Sequence, residues 1–447
     1  VRVTPDPAAI ADFFARVPGR LGAPWLGQTL AFHRDYLGLV RRQHAEFGPV
    51  FKHRVIGLDS VALLGPAANR FLLADGAASL SSRLGWDWSL GRLFPRGLML
   101  RDGDDHRHHR RILQVAFSRD ALAGYLEPRR PWVGALAREW PAGRVAAHPR
   151  LKAFLLDLAA RVFCGLGLRE EIAALNAHFA AVVRASTALL RRSVPGFAYA
   201  RGLHSRGELA RFFAGLVASR RGAPGDDLLG RLCAAVSEEG ETLADDEVVD
   251  HMVFFLMAAH DTTTSTLSSL LRELALAPLW QERLREESRA LAAGGPITLE
   301  RLRELTLLGQ AIRETLRLHP PLVLIPRRTT AEVEFGGWRI PAGVNVGIST
   351  AFTHRMPELW SDPEAFDPDR FSDARAEDRR LPFSWIPFGG GAHLCLGMFF
   401  AEIQVKLVAH HLLSSLRWRA IPGWTAPIRQ VPIQFPTDDL PLDFERV

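Results

Sequence analysis

At 447 residues the chain exceeds the usual size of one domain, and 47% hydrophobic with 23% charged residues excludes extensive disorder and allows a large core. Its three cysteines, Cys164, Cys233 and Cys395, are odd in number and widely spaced, which excludes a disulfide framework and a paired-cysteine metal site and fits a reducing compartment. The net charge of +6 is not gathered into basic blocks with interleaved aromatics, so nucleic-acid binding is set aside in favour of an acidic protein partner.

In chain order, a proline- and glycine-punctuated start leads to a helical pattern over residues 30–47. GPVFKHRVIG and SVALLG then alternate as two short strands joined by a turn. Residues 76–100, with Trp86, Trp88 and Phe94 among glycines, read as a long irregular loop expected to touch ligand. From His106 to about Arg419 helical periodicity dominates, interrupted by one mixed strand region beginning near Glu332. With no repeat and no dividing linker, residues 1–447 are expected to form one domain, mainly α with small β-sheets. The uncharged window over residues 383–401 contains Pro387, a glycine run and His393 and fails as a membrane span, so no anchor is expected.

The most informative stretch is FGGGAHLCLG, running from Phe388 to Gly397 and followed by a periodic apolar run. Consecutive glycines permit a tight turn and close approach to a flat ligand, and the apolar period predicts a helix starting just beyond Cys395. At such a terminus the partial positive charge favours thiolate over thiol. Taken alone, the pattern also fits an ordinary buried cysteine beside a turn.

Upstream lies DDEVVDHMVFFLMAAHDTTTSTLSSLLRELALAP, in which Thr242 and Asp245 offer a capping signal and Pro278 a stop. The reading is one helix of about 30 residues that crosses the whole fold. Its middle, AAHDTTTST, combines small residues with an acid and hydroxyls that bond back to helix carbonyls, which predicts a local distortion. Three shorter signals accompany it. In ETLR, Glu314 and Arg317 share one helix face. FDPDRF, residues 366–371, follows with Arg370. In RDGDDHRHHRR, His106 and Arg110 lie one turn apart as two donors on a face; His108 and His109 read as surface or packing residues, since no companion ligands support zinc.

These motifs, in this order, resemble the cytochrome P-450 family of haem-thiolate monooxygenases, in its bacterial soluble type, over almost the whole chain from about Gly19 to near Phe435. The resemblance implies the family's fold, with haem b between the long helix and the cysteine-loop helix. It also implies Cys395 as axial iron ligand, a thiolate whose electron donation favours O–O cleavage. His106, Arg110, Arg327 and His393 are implied as partners of the haem propionates, His393 standing where arginine is commoner, and Phe388, which opens the cysteine loop, is implied as a further cofactor-binding residue. Asp261 becomes the proton gate and Thr262 the hydrogen-bond donor to bound dioxygen, with Ala259 where glycine is frequent and His260 as a packed neighbour. Glu314, Arg317 and Arg370 become a buried structural cluster.

The implied reaction inserts one oxygen atom from O2 into a lipophilic small molecule, sterol-, terpenoid- or fatty-acid-like, by hydroxylation or epoxidation. Electrons come from a separate ferredoxin or flavodoxin with its reductase, and the enzyme is expected to be a cytoplasmic monomer. A peroxide-driven peroxygenase and a non-catalytic haem sensor are the alternatives, both weakened by Asp261 and Thr262. Candidate substrate-lining segments are residues 76–100, residues 176–213, Phe254, Phe255 and residues 322–325.

Overall fold

The computed structural model describes residues 5–165, 169–186, 188, 191–237 and 239–447. The architecture is mainly helical. The long central helix, Asp245–Leu276, passes through the core, flanked by Ala147–Cys164, Ala198–Gly222, Thr306–Leu318 and the cysteine-loop helix Met398–Ser415. One continuous cluster of buried side chains, including Met252, Leu267, Leu271, Leu155, Phe400 and Leu412, fills the space between them. Burial of so many large apolar side chains, each contributing roughly 1.5–3 kcal/mol, holds this helix in place despite its threonines and serines.

A mixed six-stranded sheet lies to one side, in the order Gly19–Arg20, Val50–Val55, Leu58–Leu63, Asn345–Ser349, Leu324–Thr329 and Leu80–Ser81. Val50–Val55 pairs antiparallel with Leu58–Leu63 as the alternation predicts, Val50 opposite Leu63. A three-stranded sheet of Leu416–Ala420, Pro441–Arg446 and Gly143–Ala146 closes the far end.

Several expectations are corrected. The pattern over residues 30–47 is two helices, Thr29–Arg34 and Tyr36–Phe47. Asp35, at φ −154° and ψ 80°, breaks it and caps the second helix by accepting the Gly38 N–H. Residues 76–100 are not irregular throughout: they hold the helix Ser82–Leu90, capped by Ser81. The central helix begins at Asp245 without Thr242, and the carboxylate of Glu247 accepts the Ala244 N–H at 3.0 Å. Its middle is helical without interruption in place of the expected distortion. The hydroxyls of Thr262, Thr264 and Thr266 instead donate to the carbonyls of Ala258, His260 and Thr262. Among the described residues, no helix is long and apolar enough to cross a membrane.

Candidate active site

The site begins where the central helix loses its cover. Across residues 248–271 every side chain is buried except Met257, Ala258, Ala259, Asp261 and Thr262. Enclosed elsewhere along residues 248–271, the helix keeps accessible surface at this stretch, where a ligand could reach it. Across from it, Phe388 and Leu396 of the cysteine loop pack against the same core as Met257, Ala258 and Ala259.

The glycine run sets the loop. Gly389 and Gly391 take φ of +71° and +61°, and a Cβ on Gly391 would lie 1.8 Å from the Leu73 carbonyl oxygen, so only glycine fits. The turn closes through the Cys395 N–H, which donates to the Phe388 carbonyl at 3.0 Å. Cys395 is exposed, unlike the two other cysteines, even though protein crowds around it. Burial pushes the thiol up, while the Gly397 N–H and the Arg110 charge pull it down. The helix-terminus contribution expected from the sequence is thus present, but burial outweighs it. Stable thiolate requires a bound cation, as metal ligation provides.

Beside the cysteine, His106, Arg110, Arg327 and His393 converge. The rings of His106 and His393 lie 4.0 Å apart. Arg110 Nη1 donates to the Leu394 carbonyl at 2.8 Å, so it also ties its helix, Gly103–Ala116, to the cysteine loop. Arg327 is buried, and among the described residues its side chain donates only to the carbonyl of its neighbour Pro326, at 2.9 Å; burial lowers its pKa to about 10. His393 is lowered to about 2, first by burial and then by Arg327, His106 and Arg110. His106 is lowered to about 4, chiefly by burial, and its Nε2 is buried without a partner. Four basic groups therefore face one another with unspent donors and no carboxylate ion-paired to any of them among the described residues. The two propionates of a haem satisfy that deficit, and the accessible Cys395 sulfur satisfies the iron, so the residues fit the cofactor.

Asp261 and Thr262 occupy the open stretch but are engaged locally. Asp261 lies 3.1 Å from Lys152 Nζ and 2.9 Å from His260 Nδ1. Against its burial, which acts to raise it, His260 and Lys152 hold the carboxyl below its usual range. Thr262 Oγ1 donates to Ala258 O at 2.7 Å. His260 is more than a packed neighbour, because its Nε2 faces the Lys152 carbonyl at 3.1 Å while its Nδ1 faces Asp261. Lys152 carries no sequence signal: it is remote in the chain and meets Asp261 only through helix packing. The remaining histidines diverge, His108 pairing with Glu241 at 2.8 Å and buried His109 meeting His251 at 3.0 Å.

Glu314, Arg317 and Arg370 form the buried cluster read from the sequence. Arg317 Nε and Nη2 donate to Glu314 at 2.7 and 2.8 Å, and Arg370 Nε reaches it at 3.2 Å. Glu377, not foreseen, adds a second carboxylate 3.3 Å from Arg370. Among the proposed lining residues, Phe254 packs edge-on to Phe94 and Phe255 to Phe117, while Leu322, Leu324 and Ile325 are partly accessible.

An exposed cysteine on a glycine turn, a basic cradle with no ion-paired carboxylate among the described residues, and an acid and alcohol on the central helix define a thiolate-ligated haem enzyme. The Cytochrome P450 family profile matches residues 218–441. The chain is 39% identical to cytochrome P450 136 of Mycobacterium tuberculosis over 90% of its length and 82% of that protein. It is 30% identical to abscisic acid 8'-hydroxylase 2 of Oryza sativa subsp. indica, over 95% of this chain and 85% of that one. The solved structure titled "Retinoic acid bound cyanobacterial CYP120A1" superposes with a TM-score of 0.87 at 31% identity, covering 96% of this chain and 99% of that one. The chain belongs to the cytochrome P450 family, and is a haem-iron monooxygenase that uses O2, a substrate and a source of electrons.

Proposed function

We propose that this enzyme hydroxylates or epoxidises an isoprenoid-type lipophilic molecule, with haem b held by Cys395 and with electrons from a separate ferredoxin or flavodoxin and its reductase. The observation that carries the reading is the opening of the central helix at Met257, Ala258, Ala259, Asp261 and Thr262, where apolar surface adjoins one acid and one alcohol. Support for the substrate class comes from relatives whose names point to abscisic acid and a taxane, and from the structure titled with retinoic acid. On this reading residues 1–447 act as one domain, in a cytoplasmic monomer.

When bound, the haem supplies dioxygen activation; the rest is the work of this chain. His106, Arg110, Arg327 and His393 hold the propionates, Phe388 flanks the thiolate turn, and the thiolate of Cys395 donates electron density. Lys152 is half-exposed and touches Asp261, so protons enter from solvent at that contact and pass along Asp261 toward Thr262. To donate to a bound molecule, Thr262 gives up its bond to Ala258, at a cost of about 1 kcal/mol.

The test is a titration with retinoic acid, abscisic acid, a taxane and a sterol, followed by the Soret band, with turnover of any binder measured under dioxygen plus an electron donor and under peroxide alone. Oxidised product only in the first arm supports the reading. Product with peroxide alone marks a peroxygenase, and binding without product in either arm a sensor.

A further inference from the structure

A depression of about 740 Å³ lies where the turn at Pro128 and Arg129, the end of helix Ala147–Cys164 with Gly165, and the entry to helix Leu228–Ala234 meet. Arg129, Arg161 and Arg231 line it, and among the described residues none of the three is ion-paired with a carboxylate. Other contacts orient them. Arg129 Nη1 donates to the Tyr125 carbonyl at 2.7 Å, Arg161 lies 5.1 Å over the Trp132 ring with its Nε buried and unpartnered, and Arg231 lies 5.5 Å over the Tyr125 ring.

None of the nearby acids ion-pairs with the three among the described residues, although Asp227 and Asp226 both act on Arg129 through space. Asp227 is committed to Arg220 at 2.7 Å and to the Gly230 N–H at 2.7 Å, and exposed Asp226 is the one carboxylate among the described lining residues. Among the described residues named here, four arginines stand against two aspartates. Burial disfavours the charged form of Arg129; Asp227 favours it, Arg161 opposes it again, and Asp226 acts with Asp227. Guanidinium groups that line one concavity, held there by two rings and a carbonyl, suit a phosphoryl group.

We propose that this depression is a second ligand site, separate from the haem site, for a phosphoryl anion carrying at least two negative charges. A diphosphate satisfies the charge, and the volume leaves room for an attached organic group.

The test is calorimetric titration of the haem-loaded enzyme with inorganic pyrophosphate, with ionic strength held constant by sodium chloride. The expected result is one saturable site, weakened about tenfold or more by Arg161→Gln or Arg231→Gln, as loss of a charge-assisted hydrogen bond requires, with the carbon monoxide spectrum unchanged. No saturable binding, or binding that the variants leave intact, overturns the proposal. Should Arg161→Gln not fold, Arg231→Gln carries the test alone, since its guanidinium packs on a ring and beside Gly124. Parallel arms with adenosine diphosphate and with phosphatidic acid vesicles distinguish a soluble diphosphate from a lipid headgroup as the source of the same chemistry.

Discussion

His354 Nε2 accepts the amide N–H of Ile386 at 2.8 Å, while its Nδ1 faces the Arg317 carbonyl at 3.2 Å. The ring therefore links the buried Glu314–Arg317 cluster to the segment that leads into Phe388 and the cysteine loop. An amide donor on one nitrogen and a carbonyl acceptor at the other require the neutral tautomer protonated on Nδ1. Burial, reinforced by Arg317, lowers its pKa to about 3.

The consequence is acid sensitivity of a definite sign. Between about pH 6.5 and pH 3 the unfolded chain binds a proton at this position and the folded chain does not. Its contribution to stability is thus fully present above about pH 6.5, declines by up to about 1.4 kcal/mol per pH unit as pH falls, and is gone below about pH 3. His53 and His148, both lowered to about 4 by burial, act in the same direction. The thermal midpoint should drop steadily from pH 6.5 to 4, and His354→Phe should flatten the curve while releasing haem. A midpoint independent of pH over that range contradicts the buried neutral histidine.

Glu314→Ala and Arg317→Ala should each cost about 3–5 kcal/mol and yield protein depleted of haem, because either change leaves a buried charge unpaired. Glu314 and Arg317 have no side-chain exposure, and Arg317 also donates to the carbonyls of His354 and Pro363 at 2.8 and 2.7 Å. The check is haem content per chain after purification, beside the urea midpoint. Normal values for both would mean that the cluster does not hold the cysteine loop.

Cys395→Ala should abolish the thiolate-type absorption of the reduced carbon monoxide complex without unfolding the protein, since the thiol is accessible and bears no core packing. Cys164 and Cys233 are buried elsewhere and cannot substitute. Persistence of the spectrum in this variant would remove Cys395 as the ligand.

What is legible in the sequence follows from local chemistry. Glycines with φ > 0, a long apolar period and an i,i+3 ion pair announce themselves, and the turn at Gly389–Gly391, the central helix and Glu314–Arg317 are read from them. Partners brought together only by packing are not: Lys152 and His354 meet Asp261 and Ile386 across large chain separations and stand in no local pattern. Strand Leu324–Thr329 escapes because Pro326 interrupts its alternation, although its flanks pair with Asn345–Ser349. The expected distortion of the central helix fails for a different reason. The threonine hydroxyls bond the carbonyls four residues back without displacing the helical backbone, so polarity in the sequence does not become a break in the chain.

The most discriminating prediction separates Asp261 from Thr262. Thr262→Ala removes a hydroxyl from a continuous helix and leaves a better helix former, so folding, haem content and substrate binding should be retained. Dioxygen and electrons should still be consumed, but without the hydroxyl the proton is not directed and the electrons should appear as hydrogen peroxide at the expense of product. Asp261→Asn removes the ionisable group between Lys152 and Thr262, so it should slow the whole cycle by about 10²–10⁴-fold, the range of general acid–base contributions. A third variant places the entry point. Lys152→Met leaves Asp261 facing His260 alone, and since Lys152 helps hold the carboxyl below its usual range, the Asp261 pKa should rise and the acid limb of the rate profile should move to higher pH. The measurements are product and peroxide formed per reduced cofactor consumed, across pH, for each variant with one common substrate. Unchanged coupling in Thr262→Ala would make that residue a packing threonine satisfied by Ala258. An unmoved pH profile in Lys152→Met would show that protons reach the site by another route.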